Sequence, residues 1–261
     1  METENLFGFV SGSDVEHVGA RGLAVETVLR TGKRSGDYVA AGKKLEFSYG
    51  LTDSLSVAAA VLGAYHRIDA VPGLDDVRTL RFNGLGLEGR WRLLSRDTNG
   101  FGLTLQTEPV WARSDELTGL AATKWGLENK LILDRELVAN RLFGAFNVLH
   151  EMEHVKERGA AETERGSRIG LGFGLATPLA KTIFVGAEAR YLHAYEGLGF
   201  NAFQGRALFV GPTLHARLPG DAWLSVAWST QVAGRAKGDT RHLDLENFER
   251  HAVRVKVGME F

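Results

Sequence analysis

The 261-residue chain contains no cysteine, only five prolines and, despite 31 Lys+Arg and 32 Asp+Glu, almost no net charge. Without cysteine there can be no disulfides, thiolate zinc centres, iron–sulfur clusters or Cys nucleophiles. A formal charge of −1 offers no global attraction to nucleic acid, and no nucleic-acid partner is expected. No apolar run approaches the ~18–20 residues of a membrane-spanning helix, so a helical membrane protein is excluded. The start, Met1-Glu2-Thr3-Glu4-Asn5, lacks a basic region followed by an apolar stretch. The chain is therefore either cytosolic or an exported protein whose signal has been removed, and composition alone does not choose between them.

What is present is glycine and a period of two. The 32 glycines make up about 12% of the chain against an ordinary ~7%. With 44% hydrophobic residues, the chain has enough apolar material for a folded structure. The final stretch, Val253-Arg254-Val255-Lys256-Val257-Gly258-Met259-Glu260-Phe261, alternates apolar and polar residues without a break, as a β-strand with two unlike faces does. The same alternation recurs around Leu45, Phe47 and Tyr49, around Leu103 and Leu105, and along Ile169, Leu171, Phe173 and Leu175.

Followed along the chain, this pattern predicts twelve strands, near 22–31, 38–49, 55–66, 80–93, 101–112, 122–133, 141–153, 165–175, 182–193, 207–218, 222–232 and 249–261. Each is about 10 to 13 residues, longer than the usual ~5–6 of globular sheets and matched to the ~9–11 tilted residues that cross a bilayer. The connections alternate in length. Gly50–Ser54, Pro178–Lys181 and Pro219–Asp221 are tight turns, whereas residues 67–79, 114–121, 154–164, 194–206 and 233–248 form longer links. Short turns on one rim and long loops on the other suit an outer-membrane barrel, with the turns in the periplasm. The expected fold is a single closed antiparallel transmembrane β-barrel over residues 22–261, with residues 1–20 as an N-terminal periplasmic segment. Aromatic residues support the placement. Tyr49, Trp91, Phe101, Trp223 and Phe261 fall near the short-turn rim, and Tyr38, Tyr65, Trp111, Trp125 and Tyr191 near the long-loop rim, which predicts two outward-facing belts.

At this point the chain resembles a Gram-negative outer-membrane β-barrel, through the turn Tyr49-Gly50-Leu51-Thr52-Asp53-Ser54-Leu55 and the terminal strand ending in Phe261. More narrowly, Leu6-Phe7-Gly8-Phe9, Val71-Pro72-Gly73-Leu74-Asp75-Asp76, Phe82-Asn83-Gly84-Leu85 and Gly186-Ala187-Glu188-Ala189-Arg190-Tyr191 resemble an uncharacterised proteobacterial barrel family of similar length. The resemblance implies an outer-membrane location, contact with the lipid bilayer and lipopolysaccharide, and recognition of the Phe261 strand by the barrel-assembly machinery. It implies no activity, because fold does not supply function. Nothing in the sequence specifies an oligomeric state.

Three constellations are candidates for chemistry. His150-Glu151-Met152-Glu153-His154 matches the H-E-x-x-H zinc-protease pattern, but it falls in a predicted strand. There the two histidines would stand about 13 Å apart, beyond the reach of one metal ion, so neither metal nor cofactor is expected. If the seventh to ninth strands are neighbours, His150, Ser167 and His193 all face outward near the long-loop rim, where a lipid-cleaving hydrolase would need them. That reading lacks an orienting third group and an oxyanion donor.

The third candidate is the lumen. Inward positions carry Lys44, Glu46, Glu88, Arg90, Arg92, Glu108, Glu128, Lys130, Arg168, Glu188, Arg190, Arg217, Arg254 and Lys256, with Glu26, Arg30, Lys124, Glu151, Glu153 and others completing a wall of both signs. Mixed charge predicts cross-strand ion pairs around a narrow interior, not a selective ring of one sign. The widest path is expected along Gly170, Gly172 and Gly174. In the outer loops, Asp69, Asp75 and Asp76 could offer oxygen ligands to Ca²⁺ but lack EF-hand spacing, while Lys33, Arg34, Arg235, Lys237 and Arg241 could meet lipopolysaccharide phosphates. The favoured function is a narrow channel for small polar solutes. The alternatives are a rim hydrolase and a structural or binding barrel with a closed, salt-bridged lumen.

Overall fold

The structure, a computed structural model, describes residues 2–261. Strands β1 (Arg21–Thr31), β2 (Asp37–Thr52), β3 (Leu55–Asp69) and β4 (Val77–Leu94) form consecutive hairpins, and a single helical turn α1 (Arg96–Asn99) leads into β5 (Gly102–Ser114). The meander continues through β6 (Ala121–Val138), β7 (Leu142–Glu157), β8 (Glu164–Pro178) and β9 (Ile183–Glu196). It ends with β10 (Ala202–Arg217), β11 (Ala222–Ala236) and β12 (His251–Glu260). Each strand pairs antiparallel with its chain neighbours, and β1 closes on β12 in a continuous register from Gly22↔Glu260 to Thr31↔His251. Closure leaves no unpaired edge, which a sheet within a bilayer requires.

The alternation decides which face is which. Leu23, Val25, Leu45 and Phe47 are 41%, 51%, 48% and 45% exposed, values that a water-soluble sheet would not tolerate along every strand but a lipid-facing wall demands. Alternate residues, such as Ala24, Glu46, Ala58 and Thr104, are buried inside. The strands outrun the sequence-based expectation mostly at the long-loop end. β4 has 18 residues, about 45 Å along the membrane normal at a ~40° tilt, well beyond an apolar band ~25 Å tall. Those outer ends are polar, as in Glu153-His154-Val155-Lys156-Glu157 of β7, so hydrophobic alternation could not mark them.

The tight connection after β4 holds α1, terminated by Gly100 in the left-handed region at φ 75°. Eight of the ten expected belt aromatics face outward, and two are corrected. Tyr38 is 4% exposed on the inner face of β2, with its hydroxyl donating to Leu117 O at 3.1 Å. Trp223 shares the inward parity of Ser225 on β11 and stacks near His215, 6.4 Å between ring centroids. Both replace a lipid contact with a partner inside the barrel.

Candidate functional site

The N-terminal segment does not hang beneath the barrel. Residues 2–17 enter the lumen from the short-turn end, run upward to Gly8–Val10 and turn back down, a re-entrant loop that corrects the expected periplasmic segment. Its two arms are joined at the base, where Thr3 N donates to Asp14 Oδ2 at 2.8 Å and Gly12 N to Glu4 O at 3.4 Å. At its tip, Glu188 of β9 accepts the backbone N–H groups of Gly8, Phe9 and Val10 at 2.6, 2.8 and 3.0 Å. Arg254 of β12, three strands along the wall, donates to Gly8 O at 2.5 Å. Asn147 grips Ser11 at both ends, accepting from its N at 2.8 Å and donating to its O at 2.9 Å. Arg90 donates to Gly12 O and Asp14 O at 2.7 and 2.9 Å. Asp134, 1% exposed, accepts from Ser13 Oγ at 2.6 Å and Arg96 Nη1 at 2.7 Å, and also from the Thr3 hydroxyl.

Apolar packing accompanies these bonds. Leu6, Phe7 and Val10 form one buried cluster with Phe143, Ala145, Ala176 and Phe184 of the wall. Of the β8 glycines expected to line an aqueous path, Gly170 does border the chamber, beside Leu149 and Leu192, whereas Gly172 and Gly174 make room for this loop. A Cβ at Gly172 would lie 3.1 Å from Val10 Cγ2, and one at Gly174 would lie 2.9 Å from Phe7 Cδ1. At the tip, Gly8 passes so close to β11 that a Cβ there would stand 2.1 Å from the Ala227 Cβ. Only glycine fits that approach.

Above the loop lies a chamber of about 640 Å³ lined by charges of both signs. Lys44 sits among three carboxylates, 2.5 Å from Glu46, 2.8 Å from Glu108 and 3.8 Å from Glu88. Lys256 meets Glu46 at 3.4 Å, Lys130 meets Glu128 at 2.5 Å, and Arg168 meets Glu151 at 2.6 Å. The Arg190 guanidinium lies 3.8 Å over the Phe9 ring of the loop. Of the fourteen inward residues singled out from the sequence, three stand away from this chamber. Glu188 holds the loop tip, Arg92 lies 3.7 Å from Asp14 near the short-turn rim, and Arg217 covers the Phe184 ring at 5.5 Å.

The extracellular end is narrowed by two inward-folded loops, 115–120 and 237–250. Glu116 bridges Arg30 at 2.8 Å and Lys124 at 3.9 Å, and Arg30, with help from Lys124, holds its carboxylate down at about 2 against the effect of burial. Phe248 packs on Phe209 with ring centroids 6.2 Å apart, and Lys33 donates to the carbonyls of Glu246 and Phe248 at 3.1 and 2.9 Å. Burial lowers Lys33 to about 8, with Glu249, Asp244 and Glu246 opposing. Neither loop was expected inside, because each carries a mixture of polar and apolar residues without a period.

The rim residues are arranged otherwise than a hydrolase needs. His150 and His193 share one row of the outer wall, separated by Ile169, whereas Ser167 lies in the next row, opposite Met152 and Tyr195. The Ser167 hydroxyl donates to Gly197 O at 2.7 Å. His193 Nδ1 is 3.3 Å from the Tyr195 hydroxyl, and His150 packs on Phe200 at 5.1 Å. The H-E-x-x-H string lies wholly within β7, with both histidines outward and Glu151 and Glu153 in the lumen. Asp76 caps a loop by accepting from Ala70 N at 2.8 Å.

No curated protein matches the sequence. Among solved structures, the barrel is similar to the COG4313 outer membrane channel from Pseudomonas putida F1, with a TM-score of 0.65, 11% identity, and coverage of 95% of this chain and 98% of that one. It is also similar to the β domain of the Bordetella autotransporter BrkA, at TM-score 0.55, 15% identity and 93% and 100% coverage. The KdgM porin, solved in complex with a disordered oligogalacturonate, follows at TM-score 0.52, 10% identity and 93% and 99% coverage. At these identities the likeness establishes an outer-membrane barrel fold. A family model described only as a family of unknown function, DUF6662, matches residues 1–261, and the chain belongs to that family.

Proposed function

We propose that this barrel is an outer-membrane channel for small polar solutes, held shut at its periplasmic end by its own N-terminal loop. The observation that carries the reading is how the loop is attached. Among the described residues, 2–18 make no backbone ladder with the wall, and chain-to-chain bonding begins only at Gly19 N to Gly50 O, 2.9 Å. Everything above that point is held by wall side chains and apolar contact, so the loop can leave without breaking the barrel. A structural barrel gains nothing from a separable stopper over a chamber of 640 Å³, a volume far above the ~10–15 Å³ that admits one water.

The chamber's charges set what could pass. Among the described residues no ring of one sign lines the chamber, so neither cations nor anions are favoured strongly, and paired carboxylates and ammonium groups offer donors and acceptors to neutral or zwitterionic solutes. The fold likeness to a porin and a COG4313 channel is consistent with this reading. The test is planar-bilayer conductance and liposome solute flux for the parent and for a chain lacking residues 2–16, with barrel folding verified by mobility on unheated gels. Expected is rare opening in the parent and sustained conductance in the truncated chain. Absence of conductance and flux in both rejects the channel and leaves a closed, salt-bridged barrel.

A further inference from the structure

The cations expected to meet lipopolysaccharide divide sharply in the structure. Lys33 is 8% exposed and committed to two carbonyls, Arg34 donates to Leu243 O at 2.7 Å, and Arg241 is 2.8 Å from Asp239. These three serve the fold of the inward loop. Arg235, of the same expected group, faces out together with Arg206 and Arg165. Arg206 of β10 and Arg235 of β11 are direct cross-strand partners, both exposed on the lipid-facing side at the extracellular rim. Next in that row, Arg206 pairs with His193 of β9, and two residues along β8 from Ser167 stands Arg165, also outward and exposed.

Two like charges directly opposite in a ladder destabilise it unless something neutralises them. Among the described residues no carboxylate lies within ion-pair distance of Arg165, Arg206 or Arg235, although the lumen a strand's thickness away is dense with pairs. Between the arginines the surface is aromatic. Tyr195 packs on Phe203 and Phe200 with ring centroids 5.9 and 5.4 Å apart, and His193 packs on Phe203 at 5.7 Å. In the register Arg206 faces His193 and, one strand further, Ile169, four residues from Arg165; at about 4.8 Å between strands and about 3.3 Å per residue, Arg165 and Arg206 stand about 16 Å apart with this platform between them.

We infer that the outer wall over β8–β11 is a binding site for the phosphorylated sugar head group of outer-leaflet lipopolysaccharide, its phosphates drawn to Arg206–Arg235 and Arg165 and its sugar resting on Tyr195 and Phe203. Guanidinium pairs suit phosphate because each offers a planar fork of donors. The position suits the partner, since the site lies above the apolar band on the face where that lipid's head groups are. This inference is independent of whether the lumen conducts.

The test uses the intact barrel in detergent with four probes: diphosphorylated lipid A, its dephosphorylated form, phosphatidylglycerol and inorganic phosphate, read by native mass spectrometry and by competition. Expected is retention of diphosphorylated lipid A, little binding of the dephosphorylated form, and weak competition by the other two. Arg206→Ala with Arg235→Ala should weaken binding about 25-fold, taking roughly fivefold for each surface cation. Both substitutions lie on an exposed face and should leave gel mobility unchanged; a misfolded double variant is replaced by Arg206→Gln with Arg235→Gln, which keeps side-chain length. Unaltered affinity in a folded double variant overturns the site. So does equal binding of dephosphorylated lipid A, or displacement by phosphatidylglycerol or inorganic phosphate at similar concentrations.

Discussion

Replacing Glu188 with alanine probes the seating of the N-terminal loop at one point. The carboxylate is 6% exposed and is the shared acceptor for three consecutive N–H groups, at 2.6, 2.8 and 3.0 Å. With the loop seated, Glu188→Ala leaves those donors buried without an acceptor, at about 1–3 kcal/mol each. With the loop displaced, water satisfies them, so the whole penalty falls on the closed state. The three bonds share one carboxylate and are not additive, which makes about 3–5 kcal/mol the reasonable total. At about 1.4 kcal/mol per tenfold, the open-to-closed ratio should rise roughly 10²-fold to a few thousandfold. Single-channel recording reads this directly as opening frequency, and Glu188→Gln, which keeps one acceptor oxygen, should fall between variant and parent. If folded Glu188→Ala opens no more often than the parent while the chain lacking residues 2–16 conducts freely, the Glu188 socket does not hold the loop and the energetic reasoning fails.

Further perturbations test neighbouring steps. Because the chain has no cysteine, Val10→Cys with Gly172→Cys makes a single disulfide possible where a Cβ at 172 would lie 3.1 Å from a Val10 methyl; oxidation should abolish openings and a reductant restore them, and openings that persist when oxidised would place the route elsewhere. Glu4 is pushed up to about 7 by burial, with Arg90 and Lys256 opposing and Glu16 and Glu88 assisting. Its raised value means that its contribution to seating is complete below about 4.5 and is lost as pH rises through about 7, so opening frequency should climb between pH 5 and 8, and climb less in Glu4→Gln, where Glu2, pushed up to about 8 by burial, still titrates. Asp14 does not interfere in that window: burial raises it, but Arg96 and Thr3 more than compensate, and its contribution disappears only below the ordinary 3.8. Lys44→Met strips the cation from Glu46, Glu108 and Glu88 and should cost up to about 3–5 kcal/mol, read as a lower urea midpoint for barrel unfolding. Water in the chamber softens the penalty, and a midpoint equal to the parent's would mean that the cluster is solvated, not paired.

The parts of the molecule visible in the sequence are those ruled by a period. Alternation placed all twelve strands because lipid outside and charge inside impose opposite demands on successive residues, as in Val253-Arg254-Val255-Lys256. The same period put Lys44, Glu88 and Glu108 on one wall, and their meeting follows from the antiparallel register. Tyr38 and Trp223 went astray because an aromatic ring near a strand end suits either face, and only inner partners such as Leu117 O and His215 decide between them. The N-terminal loop has no period at all. Its one local signal is Leu6-Phe7-Gly8-Phe9-Val10, four side chains too apolar for a tail in water around a glycine that adds nothing to packing.

The loop also gives a second meaning to the wall's polar residues. Among the described residues, Glu188 and Asn147 have no ion-pair partner on a neighbouring strand that would explain their inward placement, and both are spent on the loop's backbone, whereas Asp134 divides its carboxylate between Arg96 and the loop's hydroxyl groups. A wall built only to balance its own charges would not hold two such acceptors within the lower half of the lumen, each 6% exposed or less. Their desolvation is offset by the loop while it is seated and by water entering from the periplasm when the loop is gone. Two satisfied states for the same acceptors are what a reversible stopper requires. A permanently fused loop would be served better by an apolar lining, which needs no second partner.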